Sequence, residues 1–339
     1  MSSFDPFLNL EKPAAADETW KAALDGWADL LSLAIHPERV MFVSSGWTSG
    51  ALYPSGTPSD PRRFSTIQGA LDAAESKGWT NSDTGCVILI APATYSENID
   101  IPGSVALVAW GGGAGGFYRG GAVNIAGQAG VLAPTITITP PESQSCRVAL
   151  VGISIENKYA GDRTGAGEIS EATPYAIRFK KQAVYGGAQN WLRMVDCHVR
   201  MQTWGIENRW TCGIRCEGWN SSRFVNCQIQ SLDFGGGGGA AAWVRQLLRI
   251  EGDGTKAALC DVRYCELAQQ SDPVTSGTAP IFFANNLSTI RAAFSAWNLV
   301  VATPSFVNGG TSSNNFAGIS SAADVAAYRN IEGLALVQM

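Results

Sequence analysis

Two glutamates and three arginines recur at fixed places in one repeated strand, and they are the side chains best placed to do chemistry. The strand reads Ala176-Ile177-Arg178-Phe179-Lys180, then Gly213-Ile214-Arg215-Cys216-Glu217, then Leu247-Leu248-Arg249-Ile250-Glu251. Successive side chains of a strand point to opposite faces. With Ile177, Phe179, Ile214, Cys216, Leu248 and Ile250 inward, Arg178, Arg215 and Arg249 form one outward column. Lys180, Glu217 and Glu251 form the next. Stacked strands lie about 4.8 Å apart. Carboxyls about 5–5.5 Å apart suit a retaining glycosidase, and about 6.5–9.5 Å an inverting one. Glu217 and Glu251 are therefore catalytic candidates, and the arginines can support an anionic intermediate. The same pattern also fits a balanced charged face or a subunit contact, because stacked guanidinium groups need anions beside them.

Trp191, Trp204, Trp210 and Trp219 crowd into a short stretch with Asn208, Arg209 and Asn220. Indole faces stack on sugar rings while Arg and Asn bond hydroxyls, so these residues fit a glycan groove. Wedging of turns against a neighbouring chain is the alternative. The candidate binding set is Arg178, Arg215, Arg249, Trp204, Trp210 and Trp219. A second acidic candidate is the loop from Glu156 to Glu171, with Asp162, Arg163 and Glu168.

What holds these columns in line is a repeat. The first apolar residue of the strand recurs at 136, 177, 214, 248 and 281, in steps of 41, 37, 34 and 33 residues. Each unit carries a second strand, beginning at Leu150, Met194, Phe224, Val262 and Phe294. Strand-bearing repeats of about 20–45 residues stack into solenoids, because one unit cannot bury its own apolar face. The expected fold is all-β, a right-handed single-stranded parallel β-helix. A β-sandwich is the alternative, although its turns recur every 8–12 residues or so. Cys197, Cys227 and Cys265 share one repeat position. Alternation places them inward with Val195 and Val199, as a stack of small soft side chains.

The chain has 339 residues, a net charge of −5 and only 16% charged residues. That balance does not suit nucleic-acid binding. Eight cysteines without a paired framework read as reduced thiols. With two histidines and no CxxC, no metal site is expected, and no cofactor is called for. No signal peptide is visible, and no run of apolar residues is long enough to span a bilayer. Asn220-Ser221-Ser222 and Asn286-Leu287-Ser288 match the glycosylation pattern.

The ends complete the layout. Residues 1–45 form an N-terminal helical segment. In it Trp20, Leu24, Trp27, Leu31 and Ile35 give one apolar face to a helix starting at Asp17. That face packs on its own domain or on a partner. Residues 46–63 read as a linker, 64–307 as the β-helix and 308–339 as a C-terminal cap with a short helix after Ser321. Trp110 to Gly116 contains GxGxxG, but no helix follows, so a nucleotide site is not expected. In the block 64–110, Ser65 caps a helix with Ile67, Leu71 and Ala74 on its apolar face. The strand Val87–Ile90 and then Pro92, Tyr95 and Glu97 follow.

This block is similar to the opening of the pectin-lyase-like β-helix superfamily, in which a helix covers the first coil. Phe7 to Pro13, Trp20 and the apolar helix resemble the virion-attachment segment of bacteriophage tail fibre and tailspike proteins. That resemblance implies a homotrimer assembled in the host cytoplasm and carried on the phage tail. Residues 1–45 would meet tail or adaptor proteins, and the β-helix would recognise host surface polysaccharide. A spike that also depolymerises the glycan, and a structural decoration protein, are the alternatives.

Overall fold

The computed structural model describes most of residues 39–308, together with 4–5, 10–11 and 337–338. The larger stretches outside the description are 47–62, 111–122, 161–174, 205–209, 234–243 and 271–279. The described strands form three parallel sheets of seven, nine and eight strands, plus one antiparallel pair, Phe4–Asp5 with Leu10–Glu11. The chain visits the three in turn. One coil runs Tyr175–Phe179, Asn190–Val195 and His198–Trp204, and Trp210–Glu217 opens the next. This is the right-handed parallel β-helix that the strand repeat predicts. We call its sheets the arginine, valine and glutamine sheets, in that order along a coil, after what their outer faces carry.

Side-chain alternation decides which residues of each coil face the core. Ile136, Ile177, Ile214 and Leu248 stand in one register column, and the first three of them and Leu248 are fully buried. The column continues to Phe282 rather than Ile281, and that of Val262 to Ala292 rather than Phe294. The first column keeps its step of 34 residues, from Ile214 to Leu248 to Phe282, while the second shortens from 38 to 30, from Phe224 to Val262 to Ala292.

The run Leu150 to Ile155 is two strands, Arg147–Val151 and Ile153–Ala160, folded about Gly152. Gly152 has φ 67°, and the matching residues Asp196, Asn226 and Tyr264 each have φ 54°. Glycine, aspartate and asparagine accept this left-handed conformation readily; Tyr264 does so at a cost of about 1–2 kcal/mol. The corners are bonded to one another: Gly152 N–H donates to Val195 O at 2.9 Å, and Asp196 N–H to Val225 O at 3.2 Å. Asn226 N–H likewise donates to Arg263 O at 3.0 Å.

The corner reverses the expected partner of one residue. Val195, ahead of it, belongs to a separate outer cluster with Val87, Ala106, Ala149 and Val151. Cys197 and Val199, beyond it, lie in the main core. The cysteine stack itself forms: Cys197, Cys227 and Cys265 are free and buried, and Cys227 N–H points at Cys265 Sγ, 3.4 Å away. Burial, with the neighbouring thiols adding, pushes Cys227 well above its ordinary pKa, so that thiol is a packing group and not a nucleophile.

The first coil is closed by the helix Ile67–Ser76, whose Ile67, Ala70, Leu71 and Ala74 are buried. Its N-cap is Thr66 rather than Ser65, with Gly69 N–H donating to Thr66 Oγ1 at 3.2 Å. Glu97 adds a second cap from the next turn, accepting from Ile67 N–H and Gln68 N–H at 3.0 Å each. Tyr95 buries beside it and donates to Ala91 O at 2.9 Å. Glu97→Ala is expected to cost about 1–2 kcal/mol, read as a lower thermal midpoint, because two orphan amides lose a charged acceptor.

The valine sheet also takes in Val40–Val43, parallel to Cys86–Ile90. Val337–Gln338 pairs with Ala296–Leu299. The helices expected from Asp17 and Ser321, most of the linker and the two glycine-rich loops lie outside the described residues. So do Asn286 and the acidic residues 162–171. Asn220 is fully buried, which removes it as a glycosylation acceptor. No described helix is long and apolar enough to cross a membrane.

Candidate functional site

The outer face of the arginine sheet gathers the candidate charges. Arg178, Arg215 and Arg249 are register partners, and so are Glu217 and Glu251. Here alternation is locally broken. Ala176 and Ile177 both join the main core, as do Leu247 and Leu248. Tyr175 and Cys212 fall outside that core, on the charged side: Arg215 Nη1 donates to the Tyr175 hydroxyl at 3.0 Å.

The charges interlock diagonally. Arg178 Nε bonds Glu217 Oε2 at 2.9 Å, and Arg215 Nη2 reaches Glu217 Oε1 at 2.8 Å. Arg215 Nε bonds Glu251 Oε2 at 2.8 Å, and Arg249 Nη2 reaches Glu251 Oε1 at 2.7 Å. These side chains are only 6–19% exposed. Each carboxylate is thus held by two charge-assisted bonds. Burial acts to raise the pKa of Glu251, but the Arg249 bond and the Arg215 charge outweigh it and hold the group below its ordinary 4.5. A general acid must carry a proton at working pH, and Glu251 is placed to carry none. Burial pushes Cys212 up to about 12 despite Arg249 and Arg215. Held by Arg215 and Arg249, Glu251 grips and orients rather than donating a proton.

The linkage has a definite sign. A carboxylate depressed in the fold stabilises it fully above the unfolded value and loses that contribution as pH falls through the folded value. Urea midpoints are expected to hold from pH 7 to about 5 and to drop below about 4.5. Glu251→Gln is expected to flatten that drop.

At the end of the same strands the chain turns into the valine sheet, and this corner is aromatic and charged. Lys256 Nζ lies 4.3 Å from the centroid of the half-buried Trp219 ring. Tyr185 donates to Asp253 Oδ2 at 3.2 Å, and Lys181 Nζ sits 3.6 Å from the same oxygen. Burial first, then the Asp253 charge, push Tyr185 up to about 12, so it stays a neutral hydroxyl. Gly218 has φ 81°, and a Cβ there would lie 2.3 Å from the Tyr185 hydroxyl, so only glycine lets Tyr185 pack against this corner. Arg178, Lys180, Lys181, Arg215, Arg249 and Lys256 outnumber Glu217, Glu251 and Asp253 here, in a chain of net charge −5.

Of the candidate residues, the structure brings together Arg178, Arg215, Arg249, Glu217, Glu251 and Trp219. It separates Trp204 and Trp210 from them. Trp204 ends its strand in the glutamine sheet, and Trp210 begins the strand Trp210–Glu217. At about 3.3 Å per residue that strand sets Trp210 some 20 Å or more from Trp219. Trp191 lies on the valine sheet, opposite Arg147 and Ser221.

The glutamine sheet carries a polar face that spacing did not reveal. His198, Gln228 and Glu266 are register partners, beside the column Glu156, Arg200 and Gln230. Gln230 Oε1 accepts from His198 Nε2 at 3.2 Å, and Gln228 Nε2 donates to Glu266 Oε2 at 3.0 Å. Glu156 holds Lys158 at 3.1 Å and Arg200 at 3.5 Å. Burial lowers the His198 pKa from 6.5, so its ring is neutral at pH 7. These residues follow the left-handed corner, and only a reading that places the corner puts them on one face. Among the described residues no group of histidine, cysteine and acidic side chains is arranged to hold a metal ion.

No protein family matches the chain. No curated protein is similar to it. Solved structures that it is similar to include a pectin methylesterase from Aspergillus niger in deglycosylated form, at 14% identity over 82% of this chain and 88% of that one, with TM-score 0.36. Another is a pectin methylesterase in complex with a hexasaccharide, at 17% identity over 76% and 70%, with TM-score 0.37. A third is Escherichia coli YbhC, at 14% identity over 91% and 76%, with TM-score 0.39. At this distance they assign no chemistry, and the site is read from the residues of this chain.

Proposed function

We propose that the protein binds an acidic polysaccharide along the outer face of the arginine sheet, with a sugar ring held at the Trp219 corner. The observation that carries this is the junction of the ion-pair ladder with Trp219, Tyr185, Lys181 and Lys256. An indole face and a neutral phenol suit a sugar ring, and two lysines beside an arginine-rich ladder suit its carboxylate or sulfate. The finer reading is a phage spike that recognises host surface polysaccharide through this face, as a homotrimer. It is supported by the resemblance at Phe7 to Pro13 and by the uninterrupted stack of coils.

A second reading, that the bound polysaccharide is also hydrolysed or otherwise processed, is favoured by the glutamine sheet. There a neutral His198 stands between Glu156, Arg200 and Glu266, and a neutral imidazole can take a proton at pH 7. Incubating the protein with a panel of acidic and neutral polysaccharides, and following both binding and released fragments, tests the two together. Binding of acidic chains without fragments supports the first reading. Fragments that vanish in His198→Gln support the second. Equal retention of neutral and acidic chains, or of none, would sink both.

A further inference from the structure

We propose that an acidic polysaccharide held at the Trp219 corner runs on across the outer face of the valine sheet, where a diagonal of arginines takes its charges. This deepens the polysaccharide reading above and rests on it. The outward positions of four successive strands carry Arg147, then Trp191 and Arg193, then Arg223, then Asp261 and Arg263. Four arginines meet one acid there, in a chain of net charge −5. Asp196 lies past the strand end, at the left-handed corner, where it accepts from Asn226 Nδ2.

Register fixes the layout. Trp191 is the partner of Arg147 and of Ser221, Arg193 that of Arg223, and Arg223 that of Asp261. With strands about 4.8 Å apart and residues about 3.3 Å apart along each, the diagonal from Arg147 to Arg263 spans about 20 Å. Charges spread over that length do not converge on a small ion; they suit a polymer that repeats its charge. The diagonal passes beside the corner. Trp219 comes just before the strand Asn220–Val225, whose outward Ser221 and Arg223 continue its side. The Trp219 carbonyl accepts from Asn190 N–H at 3.0 Å, which sets the half-buried Trp191 one rung away. Two indoles beside the arginines favour sugar rings.

Exposure separates these arginines from the ladder. The side chains of Arg215 and Arg249 are 12 and 16% exposed and meet carboxylates at 2.7–2.8 Å. Those of Arg223 and Arg263 are 40 and 42% exposed, and they share Asp261 Oδ2 at 3.7 and 3.8 Å. One carboxylate at that range balances one guanidinium at most. Such exposed pairs are weak, so trading them for charge-assisted bonds to a ligand's carboxylate or sulfate costs little.

Titration of the full-length protein with heparin fragments, which carry both carboxylate and sulfate, tests this with a tetrasaccharide and a dodecasaccharide. The longer chain is expected to bind at least tenfold more tightly. Arg223→Gln with Arg263→Gln, which keeps donors near Asp261, should remove that advantage and leave the tetrasaccharide unchanged. Arg147→Glu, at an exposed position, should cut it too, and decides the matter if the pair fails to fold. Trp219→Ala should weaken both lengths. A length advantage that survives the arginine variants, or none in the native protein, overturns the inference and leaves the corner standing. Trp219→Ala without effect, or binding of neither length, sinks the corner and the continuous track with it. Tighter binding of single-stranded DNA than of either fragment also overturns the inference, by making the face a nucleic-acid surface.

Discussion

Arg215→Ala is expected to lower the unfolding free energy by about 3–5 kcal/mol. Arg215 reaches both carboxylates, Glu217 at 2.8 Å and Glu251 at 2.8 Å. Its loss leaves two poorly hydrated carboxylates on adjacent rungs, facing each other across about 5 Å. The Tyr175 hydroxyl loses a donor as well. Arg178→Ala removes a bond to Glu217 and Arg249→Ala one to Glu251, and each should cost less than the loss of Arg215, which bridges the two. Arg215→Lys should recover only part, because an ammonium cannot fork between two acceptors. Urea unfolding at pH 7 measures the series. A loss below about 1 kcal/mol for Arg215→Ala would mean that the ladder behaves as an exposed surface network.

Phe179→Ala is expected to cost a similar amount, about 3–5 kcal/mol, for a different reason. Phe179 is fully buried, and its register partners are Ile138 on one coil and Cys216 on the next. Both are smaller than phenylalanine, and both are fixed by the strand ladder, so neither can close the space. The penalty is the lost burial plus the cavity that remains. Phe179→Leu should cost well under half as much. Unlike the loss at Arg215, this one should not depend on salt or on pH between 5 and 8, and the contrast separates packing from charge.

How much of this was legible in the sequence depended on how far alternation carries. Inside one strand it carries well. Ile177, Phe179, Ile214, Cys216, Leu248 and Ile250 are all in the core, and the arginine column follows. At a corner it fails. Gly152, Asp196, Asn226 and Tyr264 insert one left-handed residue, so Val195 and Cys197 read as neighbours on one face yet lie in different clusters. The same break hid the third strand of each coil, and with it the His198, Gln228 and Glu266 column. Ladders across rungs were legible, but the diagonal pairing of Arg215 with both glutamates was not. It arises from side-chain reach, and it clamps each carboxylate between two arginines. The tryptophans show the remaining limit. Closeness in sequence grouped Trp204, Trp210 and Trp219, but a full strand separates the last from the other two.

The most direct measurement is a calorimetric titration of the native protein with an acidic polysaccharide at low and high salt, repeated with Trp219→Ala and Lys256→Ala. Saturable binding is expected, weaker at high salt, and reduced at least tenfold by Trp219→Ala, with a smaller loss for Lys256→Ala. Binding of the same strength in the wild-type and Trp219→Ala proteins, or binding indifferent to salt, would contradict a polysaccharide site at the end of the arginine ladder.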